Sequence, residues 1–309
     1  MLIECFNEKY EADFSENKQY PTIIDAANPN NTLITDIKLQ KFQKEAKKLD
    51  ISPMNSDQNI EGNYEMYLDY TLSDLAKMKN LRFEHAIEDK NIYENFPKDE
   101  IERLSKSKKI LLLDLDETLI HADFAKEYEN DTKNPYDTII SFESENEINN
   151  VGIFLRPGVK LFLENLSKFF EIGIFTASVS EYADEVIKFL DPENNFIKFK
   201  LYRQNCVNVN DILKVKDLRI LKNFDLKNVV LVDNNMYSFA AQLSNGILIN
   251  SFYCNKNDNE LYNVYGYLMN YIYQAEDVRK VNEEFFGFKK LRDEIYKKKK
   301  FCYLSDMSL

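Results

Sequence analysis

From residue 108 onward, short runs of apolar residues alternate with segments in which apolar residues recur at helical spacing. This alternation is typical of an α/β fold, in which helices flank a parallel central sheet. Each short apolar run has the length and composition of a strand that is buried on both faces. The runs predict strands at Ile110–Leu115, Glu171–Phe175, Phe199–Tyr202, Asn228–Val232 and Ile247–Phe252.

The segment between the first predicted strand and the first predicted helix is too long for a simple turn. It begins with a polar stretch, Asp123–Asp137, and continues with two β-rich runs, Thr138–Phe142 and Val151–Leu155. The polar residues Glu143–Asn150 separate these two runs. We therefore predict a small β-hairpin that is inserted after the first strand.

Helical periodicity fills most of the remaining segments. Pro157 suits the first turn of a helix, because its missing N–H costs nothing there. The spacing Ser178-x-x-Glu181 resembles a capping box, in which the serine side chain caps the helix that follows. A further helix is predicted to begin at Val215. The C-terminal predictions are helices at Glu260–Tyr273 and Asp277–Tyr296.

The first 105 residues have a different character, since they are polar with scattered aromatic residues and contain no catalytic motif. Weak helical patterns at Asp36–Lys48 and Tyr64–Asn80 flank a predicted loop at Asn55–Asn63. We divide the chain into a mainly helical N-terminal extension, residues 1–105, and an α/β domain with C-terminal helices, residues 106–309. We expect the extension to pack on the main domain, and a partner-binding or regulatory module is the alternative.

The composition limits the classes of protein to which the chain can belong. With 309 residues and 44% hydrophobic content, the chain is long enough to bury a sizeable core. Its formal net charge of −12 argues against a general binder of nucleic acids or of anionic membranes, since polyanions are repelled at long range. We also expect neither a secretory signal nor a membrane span, because no segment has the required apolar run.

Cysteine and histidine usage narrows the chemistry further. The 4 cysteines are far apart and form no CxxC pair, so they fit neither a zinc site nor a dense disulfide framework. This usage favours a reducing compartment, either the nucleus or the cytoplasm. With only 2 histidines, a mechanism built on a histidine cluster is almost excluded. Any catalysis therefore falls to carboxylates and lysine.

Polar side chains stand at the ends of three predicted strands. Asp114 and Asp116 end the first strand. Thr176 follows the second, and Asp233 and Asn234 end the third. The carboxyl ends of parallel strands meet at one edge of the sheet, where α/β folds bind their ligands. Carboxylates this close repel one another, so we expect a hard cation with oxygen ligands, which suits Mg²⁺.

Taken alone, the pair of Asp114 and Asp116 has several interpretations. Two carboxylates this close resist ionising together, so the pKa of one of them rises. Such a pair can hold a metal, attack a phosphorus atom, or divide the roles of nucleophile and acid. A site that handles phosphate also needs a lysine, which offsets the charge of the nucleophile. Lys216 is our candidate, and Lys214 is its competitor.

The motifs resemble one family when they are taken in chain order. The segment DLDET at 114–118 matches the DxDx[TV] motif of the haloacid-dehalogenase-like superfamily. The whole order is similar to that of the small phosphatases of the RNA polymerase II C-terminal domain, also called NLI-interacting-factor-like phosphatases. This resemblance covers residues 108–285 and implies a haloacid-dehalogenase-like fold. The motifs that carry it are DLDETLIH at 114–121, LRPGV at 155–159, FTAS at 175–178 with YAD at 182–184, KDL at 216–218 and LVDNN at 231–235.

The resemblance implies a role for each matching residue. Asp114 would be the nucleophile and a Mg²⁺ ligand. Asp116 would be the general acid and base, with its backbone carbonyl on the metal, and Thr118 would steady this loop. The other matches imply contacts to phosphate or metal: Thr176, Lys216 and Arg203 to phosphate, Asn234 directly to the metal, and Asp233 to the metal through water.

We therefore predict a Mg²⁺-dependent phosphatase that acts on phosphoserine or phosphothreonine in proteins, with the polymerase C-terminal domain as a candidate substrate. The short inserts support this prediction, because they leave the cleft open to an extended peptide. One alternative is an enzyme for a small phosphate ester or a nucleic-acid end. Another is a non-catalytic binding protein, similar to the mitochondrial import subunit of the same fold. The presence of Asp114, Asp116, Lys216 and Asp233 together favours the enzyme.

Overall fold

The computed structural model describes residues 90–93, 95–124, 135–144, 146–209 and 213–286. Within the N-terminal extension, the helix α1 (Lys98–Glu102) packs its Ile101 into the core of the main domain. The division of the chain at residue 105 stays a prediction. The predictions that lie outside the described residues are Asp36–Lys48, Asn55–Asn63, Tyr64–Asn80 and the end of Asp277–Tyr296.

Five parallel strands form the central sheet. The middle strand is β1 (Lys109–Leu113), which pairs with β5 (Phe170–Phe175) on one side and with β9 (Val229–Asp233) on the other. The edge strands are β6 (Ile197–Leu201), beside β5, and β10 (Gly246–Leu248), beside β9. The strand order is therefore β10–β9–β1–β5–β6. This sheet, with helices on its faces, confirms the predicted α/β fold.

The sequence of β1 explains its central position. Its residues from Ile110 to Leu113 are fully buried. Because side chains alternate along a strand, Leu111 and Leu113 enter one hydrophobic core, whereas Ile110 and Leu112 enter the other. A strand that is buried on both faces has to be apolar without interruption. The first polar residue after this run therefore marks the point at which the strand leaves the core.

Helices cover the face of the sheet onto which Leu111 and Leu113 point. They are α2 (Val159–Ser167), α3 (Ser180–Leu190) and α4 (Glu260–Tyr267). A π-helical turn, Leu268–Ile272, continues α4, and α5 (Val278–Phe286) follows. These elements confirm the helices predicted after Pro157, after Ser178 and at Glu260–Tyr273, and the described part of the one predicted at Asp277–Tyr296. No helix in the described ranges is both long and apolar enough to cross a membrane.

The predicted β-hairpin after β1 is confirmed, and a further strand extends it to a three-stranded antiparallel sheet. The predicted runs correspond to β3 (Thr138–Ser144) and β4 (Glu147–Leu155). The additional strand, β2 (Ile120–Phe124), pairs with the other side of β4 and gives the order β2–β4–β3. These five residues closely follow the DLDET segment, and their alternation of apolar and polar residues is too short to predict a separate strand.

The prediction of a helix from Val215 to Leu221 is wrong. Val215 instead ends β8 (Leu213–Val215), which forms a two-stranded antiparallel sheet with β7 (Val207–Val209). After this strand, the Asp217 carboxylate accepts a hydrogen bond from the N–H of Arg219 at 3.0 Å and caps a single 3-10 turn. The β-branched Val215 thus pairs across the hairpin with Val207, and the side-chain cap starts the turn only after Lys216.

The last strand of the sheet is shorter than the predicted Ile247–Phe252. It ends at Leu248, after which the N–H of Ile249 donates to the carbonyl of Asp233 at 3.1 Å. The chain then leaves the sheet, and the N–H of Phe252 donates to the carbonyl of Glu117 at 2.8 Å. This bond fixes the segment after β10 to the loop after β1.

Candidate active site

The carboxyl ends of β5, β1 and β9 meet at one edge of the sheet. Asp114 directly follows β1, and its N–H donates to the carbonyl of Val232 at 3.0 Å. Thr176 directly follows β5, and its N–H donates to the carbonyl of Leu201 at 2.9 Å. Asp233 is the last residue of β9. The ladder bonds thus continue through these residues, and the three predicted polar groups stand at the same edge.

Lys216 joins this edge from the β7–β8 hairpin. Its ammonium Nζ lies 2.5 Å from Oδ1 of Asp114 and 2.6 Å from Oδ2 of Asp233. The Lys216 side chain is buried, and its backbone N–H is anchored on the carbonyl of Ser238 at 2.7 Å. The structure therefore brings together the carboxylates predicted at two strand ends and the lysine that was chosen over Lys214.

Burial and charge act in opposite directions on this ion triad. Burial lowers the pKa of Lys216, but the carboxylates of Asp114 and Asp233 outweigh burial and raise that pKa above its ordinary value. The lysine is consequently an ammonium ion throughout the physiological range. Burial, and then the charge of Asp114, raises the pKa of Asp233, and the Lys216 ammonium opposes that rise. The lysine thus offsets part of the negative charge of two buried carboxyl groups.

The hydroxyl of Thr118 connects the first strand end to the third. This residue is fully buried, and its Oγ1 lies 3.2 Å from both Oδ2 of Asp114 and Oδ1 of Asn234. The same oxygen accepts a hydrogen bond from the backbone N–H of Asn234 at 3.2 Å. The amide nitrogen of Asn234 donates to Oγ of Ser251 at 3.0 Å, which directs the amide oxygen toward Thr118 and Asp114.

Asp116 lies in different surroundings, because its contacts are hydroxyl groups. Ser178 donates to its Oδ2 at 2.6 Å, and Tyr182 donates to its Oδ1 at 2.5 Å. The prediction that Ser178 caps a helix is therefore wrong. The helix α3 begins two residues later, and no side chain caps its first turn. The N–H of Ser178 instead donates to Oγ1 of Thr176 at 3.0 Å, and its hydroxyl is free to reach Asp116.

The surroundings of Asp116 favour its protonated form near neutral pH. Burial of the carboxyl group and the nearby charge of Glu117 raise the pKa of Asp116 to about 7, while the two hydroxyl donors oppose that rise. Glu117 itself has a φ angle of 55°, in the left-handed region that a non-glycine residue rarely adopts. This turn therefore carries local backbone strain next to a carboxyl group that can both donate and accept a proton.

Arg203 lies beside the turn that carries Thr176. Its Nε donates to the carbonyl of Ala177 at 2.7 Å, and its backbone N–H donates to the carbonyl of Ser178 at 3.0 Å. These bonds hold the base of the guanidinium group against the Thr176–Ser178 turn. The structure thus places Arg203 next to a predicted phosphate-binding hydroxyl.

Two residues at this site were not predicted to have a functional position. Tyr182 belongs to the apolar stripe of α3, yet its hydroxyl bonds Asp116; its spacing of four residues from Ser178 was the available signal.

Arg156 is fully buried and donates to the carbonyls of Thr118 at 2.9 Å and Asn250 at 2.7 Å. Its Nε and Nη2 also donate to the two oxygens of the Asp258 carboxylate, each at 2.8 Å. Its position immediately before Pro157 indicated only the start of a helix.

The groups at the sheet edge fit a hard cation. The buried carboxylates of Asp114 and Asp233 share one ammonium group, so a further positive charge is favoured. Among the described residues, no group of three or more carboxylate, imidazole or thiolate side chains forms a metal site by itself. Mg²⁺ does not need such a group, because it takes one or two carboxylates and keeps waters or phosphate oxygens as its other ligands. The Asp114 carboxylate and the Asn234 amide oxygen, both in contact with Thr118, are suitable ligands.

Comparison with known proteins supports the resemblance found in the motifs. The family model described as NLI interacting factor-like phosphatase matches residues 109–279. The chain is similar to a probable C-terminal domain small phosphatase of Dictyostelium discoideum, with 40% identity over 57% of this chain and 54% of the relative. It is also similar to a human carboxy-terminal domain RNA polymerase II polypeptide A small phosphatase, with 34% identity over 50% of this chain and 56% of the relative.

The chain thus spans little more than half the length of these two relatives. Among solved structures, that of Fcp1, an essential RNA polymerase II CTD phosphatase, aligns with a TM-score of 0.42 and 23% identity. That alignment covers 65% of this chain and 55% of the other. The matched family segment begins at the first residue of β1 and ends within α5, so it contains every strand of the described structure.

Proposed function

Because this chain belongs to the NLI interacting factor-like phosphatase family, we propose that it is a Mg²⁺-dependent phosphatase acting on phosphoserine or phosphothreonine in proteins. The observation that carries this proposal is the ion triad, in which the Lys216 ammonium lies within 2.6 Å of both the Asp114 and Asp233 carboxylates. The triad combines a buried carboxylate, a permanent cation and a strand-end opening in one place. This combination supports phosphoryl transfer to a carboxylate.

In the first step, a carboxylate oxygen of Asp114 attacks the phosphorus atom of the substrate. A bond forms between that oxygen and phosphorus, and the bond from phosphorus to the serine or threonine oxygen breaks. The leaving oxygen takes the proton of the Asp116 carboxyl group and departs as an alcohol. This step leaves an aspartyl-phosphate on Asp114 and a carboxylate on Asp116.

In the second step, the Asp116 carboxylate removes a proton from a water molecule. The water oxygen attacks the same phosphorus atom, and the bond from phosphorus to Asp114 breaks. Inorganic phosphate leaves, and both aspartates return to their starting states. The raised pKa of Asp116, about 7, suits a group that serves as acid in one step and as base in the other.

The phosphate oxygens need partners that carry positive charge or donate hydrogen bonds. Lys216, Thr176 and Arg203 supply these, because an ammonium, a hydroxyl and a guanidinium group adjoin the edge at which Asp114 stands. The residues that would hold Mg²⁺ are Asp114, Asn234, the backbone carbonyl of Asp116 and, through water, Asp233. When bound, this ion neutralises the oxygens of the transferred phosphoryl group and fixes the line of attack.

The small size of the insert supports a macromolecular substrate. The insert between β1 and α2 is a small three-stranded sheet, and a lid of that size leaves room for an extended peptide. The printed name of the human relative gives the C-terminal domain of RNA polymerase II as the target of that protein. We therefore propose a phosphorylated protein as the substrate, with the polymerase tail as the first candidate. The nucleus and the cytoplasm both remain compatible locations.

The decisive experiment compares the unaltered chain with Asp114→Asn. Turnover of p-nitrophenyl phosphate and of a panel of phosphoserine and phosphothreonine peptides is measured with Mg²⁺ and with EDTA. We expect turnover that requires Mg²⁺ and falls below about one part in a thousand in Asp114→Asn, because the nucleophile is lost. Asp99→Asn, the same change at an exposed position of α1, is the matched control and should retain full activity.

Two outcomes would contradict the proposal in different ways. Activity that survives Asp114→Asn, or that persists in EDTA, would remove the mechanism. If the unaltered chain turned over none of these esters but still bound phosphopeptides, the chain would be a binding protein with a phosphatase fold.

A further inference from the structure

The helix α3 and the turn before it present two hydroxyl groups to one carboxyl group. Tyr182 lies in the first turn of the helix and Ser178 precedes the helix, four residues earlier in the chain. Their oxygens lie 2.5 Å and 2.6 Å from the two different carboxylate oxygens of Asp116. A carboxyl group that is bonded through both of its oxygens cannot rotate freely about its last torsion. The direction in which Asp116 presents its proton is therefore set by these two hydroxyls.

The aromatic ring of Tyr182 is itself held in place from two sides. It forms part of the hydrophobic core between α3 and the sheet. On the side of the insert, the ring of Phe142 in β3 packs edge-on against it, with the ring centroids 5.5 Å apart. Tyr182 thus connects the insert that borders the cleft with the carboxyl group that exchanges protons there.

We propose that Tyr182 and Ser178 are positioning residues for Asp116, and that the packing of Phe142 on Tyr182 fixes this arrangement to the insert. This inference rests on the proposed function, in which Asp116 protonates the leaving oxygen. Neither hydroxyl touches the reacting phosphorus atom. Their contribution is to keep the carboxyl group aimed at the place where the leaving oxygen departs.

A positioning role predicts a dependence on the leaving group. A seryl oxygen leaves poorly unless it receives the Asp116 proton, whereas p-nitrophenolate is a stable anion that leaves without one. The ratio kcat/KM reports the steps up to cleavage of the first ester bond, so it isolates this difference from the later hydrolysis of the aspartyl-phosphate. Misdirection of Asp116 should therefore lower kcat/KM for a phosphoserine peptide and leave kcat/KM for p-nitrophenyl phosphate almost unchanged.

The test uses the 309-residue chain and the variants Tyr182→Phe and Ser178→Ala. We expect each variant to lose roughly tenfold to a hundredfold in kcat/KM for the peptide, a part of the roughly hundredfold to ten-thousandfold that a positioned general acid contributes. For p-nitrophenyl phosphate we expect a loss of less than about threefold. Asp116→Asn calibrates the assay, since it should show the same selectivity with a larger loss.

Tyr202→Phe is the matched control. Tyr182 and Tyr202 are both 8% exposed. The hydroxyl of Tyr202 also donates to an aspartate of α3, Asp184, at 2.7 Å, and the other partner of that carboxylate is Lys200. This variant removes the same hydroxyl from a similar setting, so it should lower neither kcat/KM value by more than about twofold.

The outcomes are separable. A selective loss for the peptide in Tyr182→Phe and Ser178→Ala, but not in Tyr202→Phe, supports the positioning role. An equal loss on both esters, or no loss on the peptide, overturns it while leaving the proposed function intact. If Tyr182→Phe does not fold, Ser178→Ala alone decides, because that residue lies outside the helix. Absence of turnover by the unaltered chain overturns the proposed function, and the positioning role with it.

Discussion

Asp114 and Asp116 are separated by a single residue in the sequence, yet the fold gives them opposite surroundings. Asp114 faces a buried ammonium group at 2.5 Å. Asp116 faces two neutral hydroxyls and the nearby negative charge of Glu117. A cation favours the ionised form of a carboxyl group, whereas burial without a cation favours the neutral form. The comparison supports the different tasks that we propose for these two identical side chains, nucleophile for Asp114 and proton carrier for Asp116.

The two surroundings also come from different parts of the fold. The side-chain partners of Asp114 are Thr118, in the loop after β1, and Lys216, the residue after β8, and its backbone N–H bonds the carbonyl of Val232 in β9. The partners of Asp116 are supplied by α3 and its preceding turn, and Tyr182 contacts the insert through Phe142. The proposed nucleophile is thus held by the sheet edge and the β7–β8 hairpin, and the proposed proton carrier is connected to the insert.

The strongest way to break the comparison is to remove the cation. In Lys216→Met, Asp114 and Asp233 lose their common partner and remain buried, so we expect activity to fall by roughly a thousandfold. We also expect the free energy of unfolding to fall by about 3–5 kcal/mol, as for other buried ion pairs that lose one partner. Urea denaturation in EDTA and turnover of p-nitrophenyl phosphate in Mg²⁺ measure the two effects.

Lys214→Met is the control for this substitution, since Lys214 lies two residues earlier and is only half-buried. It should keep activity within about a factor of three and stability within about 0.5 kcal/mol. If the two variants behaved alike, the assignment of the phosphate-binding lysine to Lys216 would be wrong.

The second prediction concerns the pH dependence that Asp116 imposes. Its protonated form is the acid of the first step and its pKa is raised to about 7. Below about pH 7 Asp116 keeps its proton, so its titration should not change kcat/KM for a phosphoserine peptide. Above that pH it should fall about tenfold per pH unit, because the acid form is titrated away.

Asp116→Asn should lower the plateau by roughly a hundredfold to ten-thousandfold and abolish this alkaline limb. Steady-state rates for one peptide from about pH 5 to about pH 9 provide the measurement. An unchanged alkaline limb in Asp116→Asn would assign the limb to another group and remove Asp116 from the role of acid.

The smallest expected effect concerns Thr118, whose hydroxyl contacts Asp114. In Thr118→Val the side chain keeps its shape but loses the hydroxyl shared by Asp114 and Asn234, and the N–H of Asn234 loses its acceptor. We expect the variant to lose about 1–3 kcal/mol of unfolding free energy, the cost of a buried polar group without its partner. Thr138→Val, in the solvent-accessible strand β3, should change stability by less than about 0.5 kcal/mol. Thermal or urea unfolding of the three proteins checks this, and equal stabilities would contradict the bridging role of Thr118.

The positions of the site residues at the strand ends can be predicted from the sequence, because parallel strands have a simple geometry. The apolar runs within β1, β5 and β9 predict buried parallel strands, and parallel strands place their carboxyl ends side by side. Asp114, Thr176 and Asp233 were therefore predicted to meet without knowledge of any contact. The π-helical continuation of α4 and the third strand of the insert were not predicted, because local periodicity does not distinguish them from a helix or a polar loop.

The sequence by itself determined the α/β fold, the edge of the sheet at which the candidate site lies and the two aspartates that we place there. These depend on patterns within a few residues, namely alternation, burial and the end of an apolar run. Only the tertiary structure decided how the two aspartates differ. The ammonium of Lys216 is 102 residues away from Asp114, and the hydroxyls of Ser178 and Tyr182 are 62 and 66 residues away from Asp116. A local pattern cannot encode such contacts. Only the folded chain shows that Ser178 contacts the Asp116 carboxyl group and does not cap a helix. Only the folded chain shows that Lys216 follows a strand, β8.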